Sequence, residues 1–300
     1  MSRAAGAEAG GVEAVSVFAG AGGLDLGARM AGVNVVASIE RDPLACEALA
    51  LNGFHPVQAD VTGVDFRQWR GVDVLFGGPP CQGHSRANHA GVGLERNALV
   101  REMLRAARET RAREVLIENV ATFGRALLGE VMDELTRMGY WVGTEVLNAA
   151  HYGVPQTRER RFIRAVRGDL ARPWPQPTHL RRPVTIDATL SDLYPQMERA
   201  ELPRWSAGLN YKPDVRLMDN QTSFPGAVLG RTGDEPAQTI TNTCHYWRVS
   251  QGGEVMKLGI RAAARLQSFP DEYRFVGGVG AQSLQIANAV PPLLAAALFA

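Results

Sequence analysis

The chain has 300 residues, 45% of them hydrophobic and 21% charged, with a net charge of +1. This composition excludes a mostly disordered chain and supplies a sizeable core, enough for one large domain or a medium domain carrying a smaller one. No run of about 18 apolar residues is present to cross a membrane, and near-neutral charge gives no global sign of nucleic-acid binding.

Residues 1–14 are rich in Ala, Gly and Glu and lack the basic start and apolar stretch of a secretory signal, so they read as a flexible tail. From Val15 to about Val166, short β-branched or apolar runs alternate with longer amphipathic segments, the pattern of an open α/β sheet with parallel strands. Strands are predicted at 15–18, 33–39, 72–76, 115–118, 141–147 and 161–166. Helices are predicted at 24–31, 43–51, 98–110 and 127–138, the last closed by Gly139 as a C-cap.

Near Gly168 the composition changes. Pro173, Pro175, Pro177 and Pro183 interrupt any period, and turns follow at Pro213, Pro225-Gly226 and Gly233-Asp234. A smaller irregular domain is expected over 169–257, with the α/β core spanning 15–168 and resuming at 258–300. Two more helices are expected there, at 260–267 and 289–299, with Pro291-Pro292 confined to the opening turn of the second.

Chemistry enters first at Val15-Ser16-Val17-Phe18-Ala19-Gly20-Ala21-Gly22-Gly23-Leu24, a strand running into a glycine-rich turn where backbone approaches a ligand closely. Its spacing is GxGG rather than GxGxxG, and the next strand ends in Glu40, suited to ribose hydroxyls. Together these favour an adenosyl ligand without a pyrophosphate. Asp60, after Pro56-Val57-Gln58-Ala59, could accept from an adenine amino group, and equally reads as a turn or cap residue.

Cys81 follows the run Gly77-Gly78-Pro79-Pro80, which places it at the carboxyl edge of the sheet, where α/β proteins bind ligands. A lone cysteine is more often an apolar filler, and Cys46 and Cys244 read that way. Three scattered cysteines make neither a disulfide framework nor a metal site, and they fit a reducing cytoplasm. At Cys81 the polar residues Gln82, His84, Ser85, Arg86, Asn88 and His89 follow directly, and Gly83, Gly91 and Gly93 lend the segment mobility.

Glu118-Asn119-Val120 carries an acid to the same edge on an apolar strand, a general acid/base candidate. In Gln156-Thr157-Arg158-Glu159-Arg160 the two arginines alternate along an extended chain and so face one way. They suit phosphate and base contacts, with a solvated basic face as the plain alternative. Arg158, Arg160, Arg161, Arg164, Arg167 and Arg172, followed by Arg181 and Arg182, allow a local basic surface despite the neutral total.

In order along the chain, the blocks are Phe18-Ala19-Gly20-Ala21-Gly22-Gly23, Gly78-Pro79-Pro80-Cys81-Gln82-Gly83, Glu118-Asn119-Val120 and Gln156-Thr157-Arg158-Glu159-Arg160. Ala264-Arg265-Leu266-Gln267-Ser268-Phe269-Pro270 and Asn288-Ala289-Val290-Pro291-Pro292 complete them. With these six the chain resembles the bacterial DNA cytosine-5 methyltransferases of restriction-modification systems, over nearly its whole length. The resemblance implies a Rossmann-like methyltransferase sheet that binds S-adenosylmethionine and releases S-adenosylhomocysteine, with 169–257 as a target-recognition domain. It implies double-stranded DNA as substrate, no metal and no membrane, a monomer in the bacterial cytoplasm near the nucleoid, and a cognate restriction endonuclease as functional companion.

Carried over position by position, the catalytic residues are Cys81, Glu118 and Arg160, supported by Gln82, Ser85, Asn119 and Arg158. The cofactor residues are Phe18, Ala19, Gly20, Gly22, Gly23, Leu24, Glu40, Arg41, Asp60, Val61, Pro80, Leu99, Asn288 and Val290. The chemistry of the base gives the trio its own reason. Carbon 5 of cytosine is a poor nucleophile until a thiolate adds at carbon 6, an acid answers the charge at ring nitrogen 3, and a cation holds the adduct.

Three positions depart from the family pattern: His84 where Phe is frequent, Ala262 where Glu is usual and Ala287 where Gly is usual. The lost Glu at Ala262 bears on how the small domain is anchored, and the methyl of Ala287 would crowd the cofactor were its φ positive. In the variable segment, Arg204, Trp205, Asn210, Tyr211, Lys212, Asn220, Gln221, Thr222, Asn242, His245 and Arg248 could reach base edges. Three rival functions differ in one feature each. An amino-methyltransferase needs no thiol and carries an acid, amide or serine before Pro-Pro and an aromatic after it, where this chain has Gly-Pro-Pro-Cys. The tRNA-acting branch carries a Cys-Phe-Thr run, where this chain has Cys244-His245-Tyr246. A silent DNA-binding regulator has no need of the intact trio.

Overall fold

The computed structural model describes residues 11–80, 93–168, 171–202, 215–218 and 230–300, apart from the side chains of 93–97 and 215. Strand β1 (Glu13–Val17) starts two residues before the expected Val15, with Ala14 fully buried, so the tail cannot extend to residue 14. Residues 1–10 lie outside the described residues. After β1 come α1 (Gly23–Met30), β2 (Asn34–Glu40), α2 (Pro43–Leu51) and β3 (Pro56–Gln58). Asp42 caps α2 by accepting from the Leu44 amide at 2.9 Å, and Pro43 supplies the preset φ of a first turn.

The next units are β4 (Val74–Gly77), α3 (Gly93–Thr110), β5 (Glu114–Val120), α4 (Arg125–Arg137), β6 (Tyr140–Asn148) and β7 (Glu159–Arg167). Among the described residues these strands form a seven-stranded sheet in the order β3-β2-β1-β4-β5-β7-β6. The expectation of parallel strands holds for all but one. β7 runs antiparallel to both β5 and β6, because the short link after β6, through the 3₁₀ turn Ala149–Tyr152, has no helix to cross over. The strand order reverses between β1 and β4, and the carboxyl ends there open the crevice in which α/β sheets hold ligands.

The region expected to be irregular holds a second sheet. After the short helix α5 (Ile186–Leu190) come β8 (Val215–Met218), β9 (Arg231–Thr232), β10 (Arg248–Gln251) and β11 (Glu254–Lys257), paired antiparallel in the order β11-β10-β8-β9. Strands of two to four residues leave little alternation to read. The Gly252-Gly253 pair, at φ 57° and 82°, is nonetheless a hairpin signal of the type that joins β10 to β11. The expected turns at Pro213 and Pro225-Gly226 lie outside the described residues; Gly233-Asp234 turns the chain at the end of β9.

Three helices close the fold: α6 (Ile260–Leu266), α7 (Val279–Asn288) and α8 (Pro292–Phe299). α7 went unpredicted because its sequence, VGAQSLQIAN, is mostly small or polar and begins among glycines. α8 begins at Pro292 rather than at 289, since Ala289 is already extended at ψ 145°. One face of the large sheet packs on α3 and α4 through Val100, Met103, Leu104, Val131 and Leu135. The other packs on α1 and α8 through Leu24, Leu26, Leu294 and Leu298, and this cluster continues into the second sheet through the fully buried Trp247 and Val249. The small sheet therefore shares a core with the large one. No described helix is long and apolar enough to cross a membrane.

Candidate active site

The carboxyl ends of β1, β2, β4 and β5, the entry of β7 and the turn between α7 and α8 enclose a cavity of about 470 Å³, within the range of small-molecule sites. The glycine-rich turn forms one wall. Phe18 leaves β1 at φ 57°, followed by Gly20 at 55° and Gly22 at 81°. A non-glycine residue in the left-handed region costs on the order of 1 kcal/mol or more and survives only where its surroundings fix it. Here the next amide, Ala19 N–H, donates to Ile39 O at 3.1 Å, and the Tyr273 hydroxyl donates to Ala21 O at 2.6 Å.

Glu40 faces this turn and is held by it. One carboxylate oxygen accepts from the Gly20 amide at 2.9 Å, and the other accepts from the Arg41 and Asp42 amides at 2.8 and 2.9 Å. Asp60 lies beyond, with Oδ1 accepting from the amide and hydroxyl of Thr62 at 2.9 and 2.6 Å, contacts that lower its pKa.

At the far wall, Nε of Arg160 sits 3.1 Å from Oε1 of Glu118, their side chains 16% and 12% exposed. Burial pushes the Glu118 pKa up, with Arg160 and then Arg158 pulling it back. The neighbouring Asn119 donates to Pro79 O at 3.1 Å and accepts from the Val120 amide, which fastens β5 to the Pro79-Pro80 segment. Arg158 is 2% exposed and donates from Nη2 to the carbonyls of Ala287 and Ala289 at 2.8 and 3.1 Å. Burial lowers its pKa, with the like charge of Arg160 adding to the effect.

The cavity wall thus includes Phe18, Ala19, Gly20, Gly23, Leu24, Glu40, Arg41, Asp60, Val61, Pro80, Leu99, Asn288 and Val290, with Glu118, Asn119, Arg158 and Arg160. Gly22 stands apart from the wall: it is the N-cap residue before α1, and a Cβ there would meet the Tyr273 hydroxyl at 2.6 Å. Cys81, Gln82 and Ser85 lie outside the described residues, as does His84, though Pro80 before them is in the wall. Sequence reading missed Asp42, Ala281, Leu284 and Gln285, and quoted Gly78 in a motif block without assigning it a role. Asp42 adjoins the predicted Arg41, and the other three missed residues stand on the unpredicted α7.

The basic stretch is a correction. Arg164 and Arg172 both pair with the buried Glu114, at 3.0 and 2.6 Å. Arg167 donates to Ala112 O and Met138 O with its guanidinium 4.3 Å from the Tyr140 ring, and Arg161 turns to Thr144 Oγ1 and Ala121 O. These contacts serve the fold, and of the stretch Arg167, Arg181 and Arg182 are exposed. Ala287 is helical, so its methyl meets no left-handed backbone. Ala262 is buried in α6, while Arg265 of the same helix ties to Asp192, Asp271 and the Thr189 carbonyl. Of the candidate base readers, Asn242 is exposed, His245 bonds Ser283 at 3.1 Å, and Arg248 donates to the carbonyls of Tyr246 and Trp247. The others, Arg204 to Thr222, lie outside the described residues.

Strand order and cavity define the class: a Rossmann-like α/β methyltransferase fold. The chain is similar in structure to the Dnmt2 methyltransferase of S. pombe, with a TM-score of 0.72 at 15% identity over 96% of this chain and 97% of that one. In sequence it is 32% identical to the type II methyltransferase M1.HphI of Haemophilus parahaemolyticus, over 95% of this chain and 84% of that protein. It is 31% identical to M.NgoMIV of Neisseria gonorrhoeae, over 95% of each. The chain belongs to the C-5 cytosine-specific DNA methylase family, whose model matches residues 12–300. Its reaction class is methylation of cytosine carbon 5 in DNA.

Proposed function

We propose that this enzyme transfers a methyl group from S-adenosylmethionine to carbon 5 of a cytosine flipped out of duplex DNA, through a covalent adduct with Cys81. The observation that carries the reading is that one cavity holds the Glu118–Arg160 pair on one side and the Phe18–Glu40 turn on the other. Gly78 to Pro80 lie between them and lead by one peptide bond to Cys81.

The residues fit an adenosyl sulfonium. Glu40 has three of its roughly four acceptor sites filled by backbone amides, leaving capacity for a ribose hydroxyl. Asp60 Oδ2 accepts no bond among the described residues and suits an adenine amino group. Open space lies where a Cβ would stand on Gly20, so a ligand can approach the backbone there. When bound, the group supplies an electrophilic methyl on positive sulfur.

The chain's own residues prepare the base. Base flipping costs a few kcal/mol of stacking and pairing, met by protein contacts. The Cys81 thiolate then attacks carbon 6, and charge grows at ring nitrogen 3. Glu118, its proton affinity raised by burial, delivers a proton or hydrogen bond there. Arg160 holds the base and stabilises the adduct. Carbon 5, now an enamine carbon, takes the methyl; loss of its proton and expulsion of the Cys81 thiolate restore the ring and the enzyme. Residues 15–168 and 258–300 form the catalytic part, 169–257 read the target, and a partner restriction enzyme cuts the unmodified sequence.

Expression in a host without cytosine methylation, followed by bisulfite sequencing, tests the reading. Protected cytosines in one short context are expected, and none at all, with soluble protein present, overturns it. Cys81→Ser should lose covalent trapping on 5-fluorocytosine DNA while still binding S-adenosylhomocysteine. Trapping on tRNA but not on DNA would move the substrate to the rival branch.

A further inference from the structure

The turn from α7 to α8 is short of backbone hydrogen-bond donors: its one internal bond runs from Ala289 N–H to Ile286 O at 3.3 Å. A helix carbonyl looks four residues on for an N–H, and for Ala287 and Asn288 those residues are Pro291 and Pro292, which have none. Buried carbonyls need other partners. Arg158 supplies Ala287 and Ala289, and Gln267 donates from Nε2 to Ile286 O at 3.0 Å and Ala289 O at 2.8 Å. The next residue, Ser268, sits at φ 65°, and its Oγ accepts from Leu293 N–H at 3.2 Å, the first amide after the prolines. A serine in left-handed backbone persists where its surroundings over-determine it.

Gln267 is itself oriented. Its Oε1 accepts from Nε2 of Gln156, which also donates to Leu266 O at 3.1 Å, while Gln156 Oε1 accepts from the Ile240 amide at 2.9 Å. Both glutamines are fully buried. Both N–H groups and the oxygen of each amide are engaged, so neither can flip without stranding a donor against a donor. Ala287 and Ala289, so held, are part of the cavity wall together with their neighbours Asn288 and Val290.

We propose that Gln267 is a positioning residue for the cofactor, acting through the α7–α8 turn, with Gln156 fixing which way its amide points. The inference rests on the reading that this cavity binds S-adenosylmethionine. It makes Gln156 matter for cofactor affinity although Gln156 is absent from the cavity wall.

Calorimetric titration of S-adenosylhomocysteine into the full chain tests it. Gln267→Met keeps the volume and removes the amide, and it should weaken binding about 10-fold or more. Gln156→Met leaves both Gln267 donors in place and should weaken binding by a smaller factor, about 3-fold. Because Gln156 acts through Gln267, the double variant should be no weaker than Gln267→Met alone, a non-additivity that general loss of stability would not produce. Affinity within about 2-fold of wild type in either folded single variant, or additive losses in the double, overturns the inference. Should Gln267→Met fail to fold, Gln156→Met alone decides: wild-type affinity sinks the proposal and the predicted loss supports it. Wild type that binds no S-adenosylhomocysteine overturns instead the reading of the cavity.

Discussion

Arg160 and Glu118 stand 3.1 Å apart at the cavity wall, yet Glu118 holds its proton more tightly than a free glutamate. The cation at contact distance is outweighed by the loss of water around the carboxylate, as buried pairs often show. A carboxyl so placed can be an acid and still be held in position by a guanidinium.

Glu118→Gln keeps shape and a hydrogen-bond donor but has no proton to deliver. The methyl-transfer rate in a single turnover should fall about 10²- to 10⁴-fold, with S-adenosylhomocysteine affinity unchanged. Arg160→Gln removes the strongest influence lowering the Glu118 pKa, so that pKa should rise further. If the protonated acid is the working form, rate is lost as pH climbs through the pKa, and the alkaline limb should move to higher pH in Arg160→Gln. A limb at the same pH in both proteins would show that Glu118 does not set it.

Gly78 lies against the same carboxylate. A Cβ there would come within 2.8 Å of Glu118 Oε2, closer than a carbon and an oxygen sit without strain. Gly78→Ala should therefore push the carboxylate off Arg160 and cut the single-turnover rate by about 10- to 100-fold, in line with the sensitivity of catalysis to sub-ångström misplacement. Wild-type rates in a folded variant would mean that the carboxylate can shift without cost.

The strands and motifs of the first half were legible because long apolar runs and glycine-rich turns are local signals. Glu40 and Glu118 could be placed at one sheet edge by strand polarity alone, whereas Arg160, at the amino end of β7, reaches that edge only because β7 runs antiparallel to β5. The fate of the basic stretch was not legible: whether Arg164 faces water or Glu114 depends on a partner 50 residues earlier in the chain. The antiparallel β7 is set by pairing rather than by its own residues, and the cavity face of α7 was lost with a helix too polar and glycine-bounded to register. The Gln156–Gln267 contact joins residues 111 apart, which no spacing reveals.

Tyr273 reaches from the loop after α6 to hold the glycine-rich turn, donating to Ala21 O at 2.6 Å in a fully buried site. Tyr273→Phe leaves that carbonyl without a donor, at a cost of about 1–3 kcal/mol. Urea unfolding should show this loss, and S-adenosylhomocysteine affinity should weaken with it because the turn is freed. Unchanged stability would mean that water takes over the hydroxyl's role.

Asp25, in α1 below the same turn, is fully buried and accepts from the hydroxyls of Ser16 at 3.0 Å and Ser38 at 2.6 Å. Burial raises its pKa from 3.8 to about 6, against the pull of the two serines and with Glu40 adding to the rise. Such a rise is worth about 3 kcal/mol. The folded state then binds more protons than the unfolded chain between about pH 4 and pH 6, so stability falls as pH rises through that window and stays lower above it. Asp25→Asn removes the titration. The stability of wild type minus that of the variant should therefore drop by about 2.4 kcal/mol between pH 4 and pH 8, read from urea midpoints at fixed ionic strength. A difference that stays flat across the window would place the charge of Asp25 in a better-solvated setting than its two serine partners provide.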